Sequence, residues 1–148
     1  AARRAGAGAP RLVLAADTLV CVSDRGSETA LGKPRDLAEA RSMIALLSGR
    51  SHQVHTGLAL LDRWSGRLET VRSDSTVHFA KMEAEEIEAY LDTGEWRGVA
   101  GAYRVQGAAA LHIARIEGSW SGIVGLPIHE LYVILRAADY RIRPRSPG

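Results

Sequence analysis

Apolar and polar positions change period several times along the chain, and each change predicts an element. In "RLVLAADTLVCV", residues 11–22, Leu12 to Leu14 and Leu19 to Val22 predict a buried strand with Asp17 and Thr18 in its middle. From Leu37 the spacing becomes helical, through Ala40, Ile44 and Leu47. Asp36 with Glu39 forms an aspartate version of the capping box, and Gly49 supplies the stop. Pro34 keeps Lys33 outside this helix, in the loop that feeds it. Alternation returns in "HQVHTGLALLD", which places Val54, Thr56, Leu58 and Leu60 on one side of a strand. "RWSG" turns the chain into a second long strand, Leu68 to Ala80. There Val77 and Phe79 face one way and Thr76 and His78 the other, which predicts a hairpin.

The remaining elements are shorter. "SDRGSE" carries turn residues after the first strand. "EAEEIEAYLDTG" predicts a helix with Ala84, Ile87 and Leu91 inward and Gly94 closing it. "ALHIARIEG" reads as a strand, and "LPIHELYVILRAADY" as a helix opening at Pro127 with an apolar stripe of Leu131, Leu135 and Ala138. Strands and helices are intermixed, so the fold class is α/β or α+β. No repeat, linker or second domain interrupts residues 1–148, and the tail from 140 to 148 reads as loose.

Composition changes this picture little. A chain of 148 residues fits one domain with a real core. The net charge of +2 is too small to imply nucleic-acid binding, and the pI near 9.0 follows from a slight excess of arginine. Cys21 is alone, which excludes an internal disulfide and a cysteine-based zinc site and fits a reduced, cytoplasmic setting. No apolar run approaches the roughly 20 residues of a membrane span. The chain opens "AARRAGAGAPRL" without a methionine, so the expectation is a short tail before the domain or a domain whose beginning is absent.

Candidate chemistry centres on Asp17. A carboxylate among apolar strand residues must recover its lost hydration through a cation, a donor cluster or a proton. Neighbours on a regular strand face opposite ways, so Asp17 and Thr18 share a ligand only near a bend, a strand end, or through backbone. Lys33 can offer an ammonium to an anion. "AGAYRVQG" and "EGSWSGIVGLP" hold Gly101, Gly107, Gly118, Gly122 and Gly125, a density that permits close approach of main-chain amides to a ligand. Neither a Walker pattern nor GxGxxG after a strand is present. His52 and His55, three apart on a strand, face opposite sides and do not form a metal pair. Each candidate also has a plain structural reading. Asp17 would cap a turn, Lys33 would be solvated, and Gln106 would satisfy a glycine turn. Cys21 would be a small buried hydrophobe, Trp64 a turn residue and Trp120 a packing residue. Glu83, Glu85, Glu86 and Glu88 would form a solvated helix face and N-terminal dipole partner.

"LAADT", "LGKP", "LSGRSHQVHTGLAL", "AGAYRVQG" and "IEGSWSGIVGLP" occur in order and register over about residues 11–138, and on these motifs the chain resembles the Maf family of nucleoside triphosphate pyrophosphatases. The resemblance implies a mixed-sheet α/β fold related to inosine-triphosphate pyrophosphatases, with a cleft between two lobes. It implies hydrolysis of a nucleoside triphosphate to monophosphate and pyrophosphate with a divalent cation, Mg or Mn. It assigns Asp17 as proton acceptor or metal carboxylate, Lys33 as a phosphate-facing residue, and Thr18 and Gln106 as base-selective contacts of the dTTP/UTP branch. A homodimer is compatible with it; membrane and nucleic-acid partners are not expected. The chain departs from the pattern in three places. The serine-rich first loop and first strand are absent, Gly98 and Val99 stand where an aspartate and lysine are usual, and Arg104 replaces a common glycine. These departures carry the alternative: a catalytically impaired module that binds nucleotide or a division-linked partner.

Overall fold

The computed structural model describes residues 10–24 and 26–140. The expected loose tail lies almost wholly outside the described residues, as do residues 1–9. Strands β1 (Leu12–Asp24), β2 (Ser27–Leu31), β3 (Ser51–Asp62), β4 (Arg67–Phe79) and β5 (Ile113–Glu117) form a five-stranded sheet in the order β2-β1-β3-β4-β5, with every pairing antiparallel. Helices α1 (Leu37–Leu47), α2 (Ala84–Asp92), α3 (Trp120–Val124) and α4 (Ile128–Ala137) complete the α/β fold expected from the sequence.

Local chemistry explains the elements. Asp36 caps α1 by accepting from the amide of Glu39 at 2.8 Å. The reciprocal half of the expected box shifts by one residue, because the Glu39 carboxylate accepts from the amide of Arg35 instead. On α2 the box is complete between Glu83 and Glu86, while Glu88 pairs with Arg41 of α1. Tyr90 and Leu91 are the buried residues of α2, and Ala84, expected inward, is exposed. Ala84 is the first residue of the helix, and the buried residues lie in its last turn.

Strand parity sends Val20 and Val22 of β1, Val54 of β3, and Val77 and Phe79 of β4 to one face of the sheet. There they meet Ile44, Leu47, Tyr90 and Leu91 in the main core. The same face, further along the strands, carries Leu58 and Leu60 against Ile134 of α4. Between the two apolar clusters runs a polar waist of Thr18, Thr56, Ser73 and Ser75, on which α3 sits.

The opposite face is not covered by any described helix. This overturns the expectation that residues 12–22 form a buried strand throughout. Only Val20, Cys21 and Val22 are buried, and Leu19 is 52% exposed. Trp120, expected to pack, is 53% exposed. Its segment, read from sequence as a glycine loop, contains the helical turn α3, capped by Ser119 accepting from the amide of Gly122.

Candidate active site

β2 stops at Leu31, so β1 from Leu12 to Leu19 pairs only with β3. At this free edge Asp17 turns its carboxylate back to accept from the amide of Thr18 at 3.0 Å. Thr18 faces the covered side and Asp17 alternates to the other, yet at this edge both residues line one cavity. Asp17 is exposed, so it is hydrated rather than stranded among apolar neighbours.

The chain leaving β2 passes Gly32 and Lys33 into buried Pro34. Gly101 donates its amide to the carbonyl of Gly32 at 3.1 Å, which ties the "AGAYRVQG" loop to the "GKP" loop. Gly101 has a φ of +68°, and a Cβ there would sit 3.0 Å from Val20 Cγ1. Glycine is required by both the angle and the close approach. Ala102, with a φ of +62°, lies in the left-handed region that disfavours side chains, and Tyr90 holds it there by donating its hydroxyl to the Ala102 carbonyl at 3.0 Å.

These loops enclose a cavity of about 260 Å³, lined by Asp17, Thr18, Lys33 and Gln106 among others. All four residues singled out in the sequence therefore meet in one place. Arg104 adds a second cation to the same wall. Val20, Val54, Ile123 and Val124 form the apolar side. Gly98 and Val99 also line the cavity and bring no charge to it.

Thr18 is held by a directed chain of hydrogen bonds. Thr56 Oγ1 donates to the carbonyl of Gly122 at 2.7 Å, and Thr18 Oγ1 lies 2.8 Å from Thr56 Oγ1. A hydroxyl has one proton, and the Gly122 carbonyl can only accept. Thr56 thus accepts from Thr18, and the lone pairs of Thr18 are left to face the cavity as acceptors. Sequence reading placed Thr56 on the buried side without giving it this role; a polar residue in an apolar row was the available signal.

Behind the cavity, Tyr103 packs edge-on against Phe79 and His52, and its hydroxyl lies 2.8 Å from His52 Nε2. Burial lowers the His52 pKa to about 4, so the ring is neutral, and it pushes the Tyr103 hydroxyl well above its usual range. His52 and His55 do fall on opposite faces of β3, as expected. Gly118 and Gly122 of "EGSWSGIVGLP" serve packing. A Cβ at Gly118 would meet Ser75 Oγ at 2.7 Å, and one at Gly122 would meet Ser73 Oγ at 3.0 Å. They let α3 settle onto β4.

Among the described residues, the group with three mutually close metal-ligating atoms is Cys21, Glu28 and His55, which does not include Asp17. Asp17 offers one carboxylate at the cavity. That suits magnesium-type chemistry, in which one or two carboxylates and substrate phosphates share an ion that keeps its waters.

Comparison with known proteins supplies the family. The model described as Maf-like protein matches residues 1–138. This chain belongs to the Maf family. Maf relatives include the dTTP/UTP pyrophosphatase of Treponema denticola, 45% identical over 138 residues that cover 91% of this chain and 68% of that protein. The dTTP/UTP pyrophosphatase of Mesorhizobium japonicum is 42% identical over 134 residues, covering 90% of this chain and 62% of the relative. That of Novosphingobium aromaticivorans is 45% identical over 143 residues, covering 96% and 69%. The chain thus spans about two thirds of the length of these curated relatives.

Proposed function

We propose that this Maf-family chain carries the catalytic core of a nucleoside triphosphate pyrophosphatase acting on dTTP, UTP and related pyrimidine nucleotides. The observation that carries the reading is the convergence of Asp17, Thr18, Lys33 and Gln106 on one cavity. A water oxygen attacks the α-phosphorus, the bond to the β-phosphate bridging oxygen breaks, and pyrophosphate leaves. Asp17, hydrated and at the edge of the cavity, takes the proton of the attacking water. Lys33 and Arg104 place positive charge where the phosphate oxygens gather negative charge. A divalent cation, Mg or Mn, held by Asp17 and the substrate phosphates, would supply further charge neutralisation. Thr18, with its proton given to Thr56, accepts from the N3–H of a uracil or thymine ring, and the Gln106 amide matches a pyrimidine carbonyl. The reading places the protein in the cytoplasm.

Pyrophosphate release from a panel of triphosphates with magnesium or manganese tests this. Turnover of dTTP and UTP is expected, and Asp17→Asn is expected to lower it by about 10²–10⁴-fold. Lys33→Ala is expected to raise KM more than it lowers kcat. Turnover by Asp17→Asn near that of the parent chain removes Asp17 from the mechanism.

Gly98 and Val99 support a second reading, a module that binds nucleotide without hydrolysing it, because the wall they form is uncharged. Saturable dTTP binding by equilibrium dialysis with no pyrophosphate released would select it.

A further inference from the structure

Cys21, Glu28 and His55 stand on three neighbouring strands, β1, β2 and β3, on the face of the sheet that no described helix covers. Cys21 lies opposite Ala30 on β2 and Gln53 on β3, which makes Glu28 and His55 its diagonal neighbours. The thiol sulfur, a Glu28 carboxylate oxygen and a His55 ring nitrogen all lie within 4.8 Å of one another. His55 is oriented from behind. Its Nδ1 is 2.6 Å from Asp74 Oδ1, and Arg72 holds the other Asp74 oxygen with Nε at 3.1 Å and Nη2 at 2.9 Å. In the neutral ring Nδ1 donates to that carboxylate, so the free lone pair is on Nε2, which faces Glu28 Oε1 at 3.8 Å.

We propose that Cys21, Glu28 and His55 form a binding site for a zinc-type divalent cation, with Asp74 as the residue that positions His55. A thiolate, an imidazole and a carboxylate are three ligands of the kind zinc takes, with a fourth position left for water. Tetrahedral zinc bonds place ligand atoms about 3.5 Å apart, a contraction that Glu28, exposed on the edge strand, can make by side-chain rotation. A carboxylate on the second ring nitrogen is the usual companion of a metal-bound histidine. The soft thiolate separates this site from the oxygen-only cation expected at Asp17. The lone cysteine therefore argues against a cysteine-only zinc site but not against this mixed one. The site does not depend on the proposed reaction.

Titration calorimetry of the full chain with zinc, and absorption spectra with cobalt in its place, test the proposal. One zinc per chain is expected, with a thiolate-to-cobalt charge-transfer band. Cys21→Ser should abolish the band and weaken zinc at least tenfold. Asp74→Asn should weaken zinc by about 10–100-fold and keep the band. Glu28→Gln, on the exposed edge strand, leaves the fold undisturbed and should weaken zinc without removing the band. The proposal is overturned if the parent chain takes up no stoichiometric zinc. It is equally overturned if Cys21→Ser and His55→Gln bind as the parent does, which would assign the ion to other histidines.

Discussion

The two faces of the sheet are built from the same strands and solve opposite problems. On the covered face Val20, Val54 and Val77 exclude water, and neutral polar groups hydrogen-bond to one another, as in Thr18–Thr56–Gly122 and in His52 Nε2 with Tyr103. On the other face Leu19 is half exposed, and titratable and charged side chains gather in rows: Glu28, His55, Asp74 and Arg72 form one, and His78, Glu117 and Arg115 another. Desolvation accounts for the difference. A charge under α1 would lose its hydration without a partner, whereas a charge on the uncovered face keeps most of it. Chemistry follows the same division. The covered face ends in a cavity with directed acceptors, and the uncovered face gathers ligands for ions.

Substitutions can break this contrast, and the largest loss belongs to the covered face. Ile44→Ala, at a site with no exposure, should cost about 2–5 kcal/mol in urea unfolding. His52 gives the pH dependence of that face. Its folded pKa of about 4 lies below the 6.5 of an unhindered imidazole, so the unfolded chain binds the proton first as pH falls. The contribution is whole above pH 6.5 and is lost progressively down to pH 4, by about 3 kcal/mol in all. Urea midpoints across this range should fall less in His52→Gln, which does not titrate. Thr56→Val should cost about 1–3 kcal/mol, because the Gly122 carbonyl and the Thr18 hydroxyl both lose a partner. The smallest effect belongs to the uncovered face. Leu19→Ala should change stability by no more than about 0.5 kcal/mol, and a loss comparable to that of Ile44→Ala would show that something covers this face in solution.

Much of the molecule was legible from local pattern. The cap at Asp36, the hairpin of β3 and β4, and the inward row of Val54, Thr56, Leu58 and Leu60 follow from rules that act within a few residues. So does the division of His52 and His55 between faces. The burial of β1 was not legible. An apolar run says that a segment can be buried, but only the packing of the whole sheet says which part is: Val20 and Val22 face the core, while Leu19, on the other face, stays half exposed. Asp17 shows the same limit. Its neighbours suggested a carboxylate deprived of water, yet β2 ends early enough to leave it at a hydrated edge. The glycines of the α3 segment were read for ligand approach, and two of them serve packing against Ser73 and Ser75. Contacts across more than 40 residues leave no trace in local spacing.

By itself the sequence determined the long strands and helices and their order, the apolar sides of β3 and the end of β4, and the motifs through which the chain resembles the Maf family, because these depend on residue period and short-range capping. Only the tertiary structure decided that β2 stops opposite Val20, short of Asp17, that Lys33 and Gln106 line the same cavity, and that Cys21, Glu28 and His55 meet across three strands. Register and strand length set those meetings, and both are fixed by how the whole sheet pairs and packs, not by any one segment.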